Sequence, residues 1–267
     1  MRGLRLNVHL LECQADLTAH VFRLVERRDV EIFAVVVGDG GRVAVLVELE
    51  QVELARGAHG QRVAAPGSGL HLAVSITKDG QNLFHPSIEE SEEGRQFVAG
   101  VLRRAAEMTI FGNPLTNSFQ RLGEFEAPKY ITWSHQNRAP LITVPLATGG
   151  KPNRFKLRSF DGCINPYIVF ALLIHAGLDG IEDKLELAPA CEENLFTSSE
   201  AVRARYDALP ESLCEAIRTA QSSDFIAKYL PEKMRTAFFA AKQAEHDRIA
   251  LADDRTAAER QLYFERY

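Results

Sequence analysis

The sequence predicts an α+β fold, and three observations carry that reading. β-branched and alternating runs are interleaved with amphipathic stretches, without the strict βαβ alternation of a parallel sheet. The chain has 267 residues, room for one large domain or one and a half. Apolar residues make up 46% and charged residues 25%, the mix of an ordinary globular protein with a core to bury.

In chain order, residues 30–37 (VEIFAVVV) form a β-branched run, Gly38-Asp39-Gly40-Gly41 a turn, and residues 42–50 resume with valines and leucines. Run, turn and run read as a hairpin. The stretch VAVLVELEQVELARGAHG also places apolar residues at helical spacing and closes on Gly57 and Gly60, so a helix is predicted over 43–59. A Gly-rich loop (Pro66-Gly67-Ser68-Gly69) leads into a strand over 71–77, and KDGQNLF turns out of it. Residues 94–109 put Phe97, Val98, Val101, Leu102, Ala105 and Met108 on one helical face. Residues 130–133 and 141–145 read as short strands. RFKLRSF (154–160) alternates, which places Arg154, Lys156 and Arg158 together on one face. Asn165-Pro166 opens a buried helix over 167–176, and the last 60 residues read as polar helices. The one seam falls near residue 60, giving a divergent segment 1–60 and a main domain 61–267.

Several function classes fall away. A net charge of −5 supplies no basic face for nucleic acid. Cys13, Cys163, Cys191 and Cys214 are scattered without a CxxC pair, which fits reduced thiols in a cytoplasmic protein better than a disulfide frame or zinc site. No apolar run approaches the roughly 20 residues that span a bilayer, and no secretory signal is read at the start.

Four features could carry chemistry. Gly67-Ser68-Gly69 can offer backbone N–H groups to an anion. His71 sits on a strand whose Leu70 and Leu72 point the other way. Arg121, Arg138, Arg154 and Arg158 can fork onto carboxylate or phosphate. Glu126 in FEAP stands just ahead of Ala127-Pro128, where the proline restricts its neighbour Ala127 to an extended conformation. Taken singly, each is more often a plain turn, a half-buried histidine or a solvated charge.

Their order changes the weighing. The segments GSGLHLAVS, KDGQNLF, NPLTNSFQRL, FEAP, WSHQNRAPLITVP, LRSFDGCINPY, AGLDGIEDK and EENLF, from Gly67 to Leu195 and beyond, resemble in sequence and order the catalytic domain of glutamine synthetases. That resemblance implies an antiparallel sheet backed by helices and a two-step ligase. ATP phosphorylates the γ-carboxylate of glutamate, and ammonia or another amine displaces the phosphate, with Mg2+ screening the phosphate oxygens. It further implies the role of each matching residue. His71 would hold the metal, and Glu31 in VEIF matches a metal-binding glutamate. Ser75, Lys151 and Arg154 would contact the nucleotide. Arg121, with Gly67, would bind the substrate, Arg121 gripping its α-carboxylate. Glu126 would guard the site and take the ammonium proton, and Arg138 and Arg158 would stabilise the phosphoryl group. The small-molecule partners are glutamate and ammonia or an amine, and the family's double rings imply a homo-oligomer.

The departures fall on those same positions. The family's metal-ligating glutamate of ExR is Lys156 here, a swing of two charges beside the expected ion. At about 4 Å a unit repulsion costs about 4 kcal/mol at an effective dielectric of about 20. The second histidine of HxH is Ala73, the arginine of IRIP is Thr143, and the asparagine before GSG is Pro66. The tyrosine of ENLY is Phe196. The loop before EAP is one residue short, and residues 1–66 leave no room for the family's β-grasp domain. Three readings follow: a ligase scaffold with weak or absent activity, an active γ-glutamyl amide ligase, or a fragment whose partner chain supplies the β-grasp domain. The charge at Lys156 favours the first.

Overall fold

The computed structural model describes residues 20–26, 30–38, 41–53, 69–124, 127–145 and 154–263, the first three segments by their backbone register. The strands are β1 (His20–Glu26), β2 (Val30–Gly38), β3 (Gly41–Glu53), β4 (Gly69–Lys78), β5 (Gln81–Asn82), β6 (Trp133–Ser134), β7 (Ile142–Thr143) and β8 (Phe155–Phe160). Their order is β1-β2-β3-β4-β8-β7-β6, with β5 pairing β4 beside this path. Every neighbouring pair is antiparallel except β6 and β7, which run parallel.

The helices are α1 (Glu92–Arg103), α2 (Ala105–Gly112), α3 (Pro166–Glu182), α4 (Glu200–Arg203), α5 (Leu213–Gln221), α6 (Asp224–Tyr229), α7 (Glu232–Ala250) and α8 (Arg255–Tyr263). A 3₁₀ turn, Thr116–Arg121, lies between α2 and β6. Local chemistry fixes their starts. Ser91 Oγ accepts from the Gly94 N–H at 3.0 Å to cap α1, and Asn165 Oδ1 accepts from Tyr167 N–H at 3.1 Å above Pro166 in α3.

The helix predicted over 43–59 is a strand as far as Glu53. Val43, Val45 and Val47 suit a pleated ladder, and β2 and β4 supply backbone partners on both sides. Helical spacing alone could not register those partners. The helix predicted over 94–109 is two helices, parting at Arg104, whose backbone leaves α geometry at φ −101° and ψ 3°. Its guanidinium pairs with Glu107 at 2.8 Å and lies 5.1 Å from the centre of the Phe225 ring. Of the short strands predicted over 130–133 and 141–145, the first is displaced to Trp133–Ser134 and the second contracts to Ile142–Thr143. The predicted 167–176 helix runs on to Glu182.

One face of the sheet makes the core. Leu70, Leu72, Val74 and Ile76 of β4 and Phe155 and Leu157 of β8 are buried with Phe97 and Val101 of α1 and Val169, Leu172 and Leu173 of α3. Phe155 meets Phe84 edge-on at 5.9 Å and Phe97 at 6.1 Å, tying the sheet to the helices behind it. Helices α1 and α3 cross at Gly100 and Gly180. A Cβ on Gly100 would run into the Ala176 carbonyl and stand 2.8 Å from Gly180 Cα. Gly100→Ala is therefore expected to destabilise by about 1–3 kcal/mol through overpacking, read as a fall in Tm. An unchanged Tm would show that the helices can slide apart.

Candidate functional site

The alternation that buries Leu70 and Leu72 puts His71, Ala73 and Ser75 on the opposite face of β4. On β8, Lys156 and Arg158 are half-buried between the buried Phe155 and Leu157, as the sequence pattern required. Lys156 stands opposite Ala73, and a bulge in β4–β8 brings Arg158 beside His71. Arg158 Nη1 lies 3.4 Å from His71 Nδ1. The Arg158 Nε donates to Thr143 Oγ1 at 3.4 Å, and that hydroxyl donates to the Asn137 carbonyl at 3.2 Å. Ser134 Oγ donates to the same carbonyl at 2.7 Å, so two hydroxyls brace the turn that carries Arg138. Thr143, which replaces an arginine of the resembled motif, thus supports Arg158.

Arg121 approaches from the 3₁₀ turn. It is buried, and its Nη2 donates to Asn113 Oδ1 at 2.6 Å and to the Ser159 carbonyl. Burial is the first reason that the His71 pKa falls to about 4, and the charges of Arg158, Lys156, Arg121 and Arg138 follow in that order. Four cations therefore converge on one imidazole. His71 is expected to stay neutral at pH 7 and to titrate near 4 by NMR. Its folded pKa lies below the ordinary value, so its stabilising contribution is complete above about pH 6.5 and is lost as pH falls towards 4. His71→Asn should flatten that part of the stability curve; an imidazole titrating near 6.5 would show that the cations do not reach it.

Of the remaining expected site residues, Ser75 lies on the same strand face as His71, at 6% exposure, and Arg154 is half-buried just before β8. Gly67, Glu126 and Lys151 lie outside the described residues. Glu31 is placed by register alone: it stands opposite Glu48 on β3, and Glu48 stands opposite Ala73. Glu50 stands opposite His71. Glu31, Glu48, Ala73, Lys156 and Thr143 thus form one cross-strand row. Glu48 and Glu50 were missed because the sequence reading put them on a helix; the alternating VELE within a valine-rich run was the signal. Asn113 was missed as well, although it opens the same NPLTNSFQR motif that carries Arg121.

The described donors do not fit a divalent cation. No three His, Cys, Asp or Glu side chains gather as a metal site among the described residues. Magnesium needs hard oxygen donors, whereas the described side chains whose charge reaches His71 are ammonium and guanidinium groups; the glutamates of β3, Glu48 and Glu50, are placed by backbone register alone. What the arrangement does offer is a fork of charged donors for an oxyanion.

A family model described as glutamine synthetase, catalytic domain, matches residues 61–263. The glutamine synthetase of Methanosarcina mazei is 38% identical over 187 residues, covering 68% of this chain and 42% of that protein. That of Pyrococcus furiosus is 40% identical over 168 residues, covering 62% and 38%. The chain thus spans about two fifths of the length of these curated relatives. A solved structure described as a GmaS/ADP complex superposes with a TM-score of 0.62 at 28% identity, over 74% of this chain and 46% of that one. Sheet, motif order and these likenesses agree: the chain belongs to the glutamine synthetase family and carries its catalytic-domain scaffold.

Proposed function

We propose that this chain is a ligase scaffold of the glutamine synthetase type that binds carboxylate and phosphate groups but performs little or no metal-assisted phosphoryl transfer. The observation that carries the reading is Lys156, a cation set opposite Ala73 in the ladder and acting with Arg158 on His71. An ion that must be bound by carboxylate and imidazole meets positive charge there instead. The same charges suit anions: Arg121 for a substrate carboxylate, and Arg138 and Arg158 for a phosphoryl group. Ser75, Arg154 and Lys151 are the proposed nucleotide contacts, a role supported by the likeness to an ADP complex. Gly67 joins Arg121 at the substrate, and Glu126 is the proposed gate and proton acceptor. His71 and Glu31 remain the proposed metal positions of the ancestral site. The long antiparallel ladder between β3 and β4, interrupted by one register shift between Glu50 and Val52, supports reading residues 1–60 as the front of the same catalytic unit.

The test is phosphate release from ATP in the presence of glutamate, with ammonia and with several amines. Release is expected at background for each. Sustained turnover with any amine would restore the active-ligase reading. One further reading is proposed, a chain that needs a partner chain to supply the β-grasp domain. Turnover that appears only on adding a separately produced β-grasp domain would establish it.

A further inference from the structure

Arg121 is held inside the protein at 9% exposure, yet its hydrogen-bond partners are neutral, the Asn113 side-chain oxygen and the Ser159 carbonyl. The carboxylate whose charge reaches it is Asp161. That group is already engaged, accepting from the Ser118 hydroxyl at 2.7 Å and from the Cys163 N–H at 3.1 Å. Two further buried donors have no acceptor, Asn113 Nδ2 and Arg121 Nε. Asn113 is fully buried, and buried donors left without acceptors are costly and uncommon. The amide cannot turn over to relieve this. Arg121 only donates, so Asn113 must face it with oxygen and leave its own N–H groups stranded.

A carboxylate at position 113 has the shape of this amide. It would strand no donor and would pair the buried guanidinium. The chain carries the amide instead. We propose that Asn113 is a positioning residue that fixes Arg121 through a neutral contact, so that the arginine keeps its positive charge for the carboxylate of a ligand. This deepens the anion-binding reading above and rests on it. Both bonds that fix the guanidinium leave from Nη2. Nη1 lies by Gly69, 3.7 Å from where a Cβ would stand, two residues before His71. Gly69 begins β4, and His71 feels the Arg121 charge, so this end of the fork belongs with the cations around His71.

The experiment compares the full chain with Asn113→Asp and Asn113→Ala. Melting is measured without ligand, and binding of L-glutamate by calorimetry. Asn113→Asp is expected to melt at or above the unmodified chain, because it pairs a buried charge, while Asn113→Ala melts lower. Glutamate affinity should nevertheless fall at least tenfold in Asn113→Asp, since the introduced carboxylate occupies the charge that the ligand needs. A merely structural role would make Tm and affinity fall together. An Asn113→Asp protein that fails to fold, melts at or below Asn113→Ala, or binds glutamate as the unmodified chain does, overturns the proposal. Absence of glutamate binding by the unmodified chain overturns the ligand it names and the anion-binding reading together. The melting order then still decides whether Arg121 is a buried charge awaiting a partner.

Discussion

Lys156→Glu is expected to raise magnesium affinity at least tenfold over an unmodified chain that binds little magnesium at millimolar concentration. The substitution removes a cation and supplies a hard oxygen donor at the position opposite Ala73. A tenfold change is about 1.4 kcal/mol. A unit charge at about 4 Å and an effective dielectric of about 20 is worth about 4 kcal/mol, so the expectation leaves a wide margin for solvent screening of this half-buried strand. Lys156→Met separates the two contributions: it removes the repulsion without adding a ligand and should fall between the other proteins. Phosphate binding should move the opposite way, weakening in both variants. Calorimetry with magnesium and with inorganic phosphate reads both. Tight, stoichiometric magnesium in the unmodified chain would sink the charge argument and return the active-ligase reading.

Glu245→Ala is expected to cost about 3–5 kcal/mol of stability, the largest single loss foreseen for the C-terminal helices. Glu245 accepts from Lys242 Nζ at 2.9 Å along α7, and the two side chains are only 9% and 7% exposed. Removing the carboxylate leaves an ammonium inside the protein with its pairing broken, although the Phe238 ring stands 5.9 Å from it. In a domain of this size each kcal/mol moves Tm by roughly 2–4 °C, so a fall of about 10 °C is the reading expected from calorimetric melting. The double variant Lys242→Met/Glu245→Leu should recover most of that loss, because two well-packed apolar groups need no partner. A double variant as unstable as Glu245→Ala would show that the helix depends on polar contacts beyond this pair.

The same C-terminal region reaches the site through the 3₁₀ turn. Thr116 Oγ1 donates to Glu259 at 2.6 Å, and the Thr116 N–H donates to the Tyr263 hydroxyl at 3.3 Å. Helix α8 therefore fastens the turn that ends in Arg121. Nearby, burial and the Asp161 charge push the Cys163 thiol up to about 11, which leaves it protonated and inert at neutral pH.

Much of the site was legible in the residues themselves. The period-two pattern of RFKLRSF, by its own alternation, placed Lys156 and Arg158 on one face of β8, and the same rule set His71 against Leu70 and Leu72. The α+β class followed from strands and helices mixed without βαβ order, and family membership from eight spaced motifs. These features are local, so no distant contact was needed to decide them. Three others were decided only in the folded molecule. The stretch from Val43 carries apolar residues at both helical and strand spacing, and the choice between them went to β3 because β2 and β4 offer backbone partners on either side. Arg104 splits a helix that periodicity would have run straight through, since its partners are the nearby Glu107 and the distant Phe225. The pairing of Asn113 with Arg121 depends on how the 3₁₀ turn folds one end of a single motif back on the other, and the cationic surroundings of His71 arise from side chains that lie far apart in the chain. Charge and hydrogen-bond balance depend on what surrounds a buried group, and the fold alone sets that surrounding.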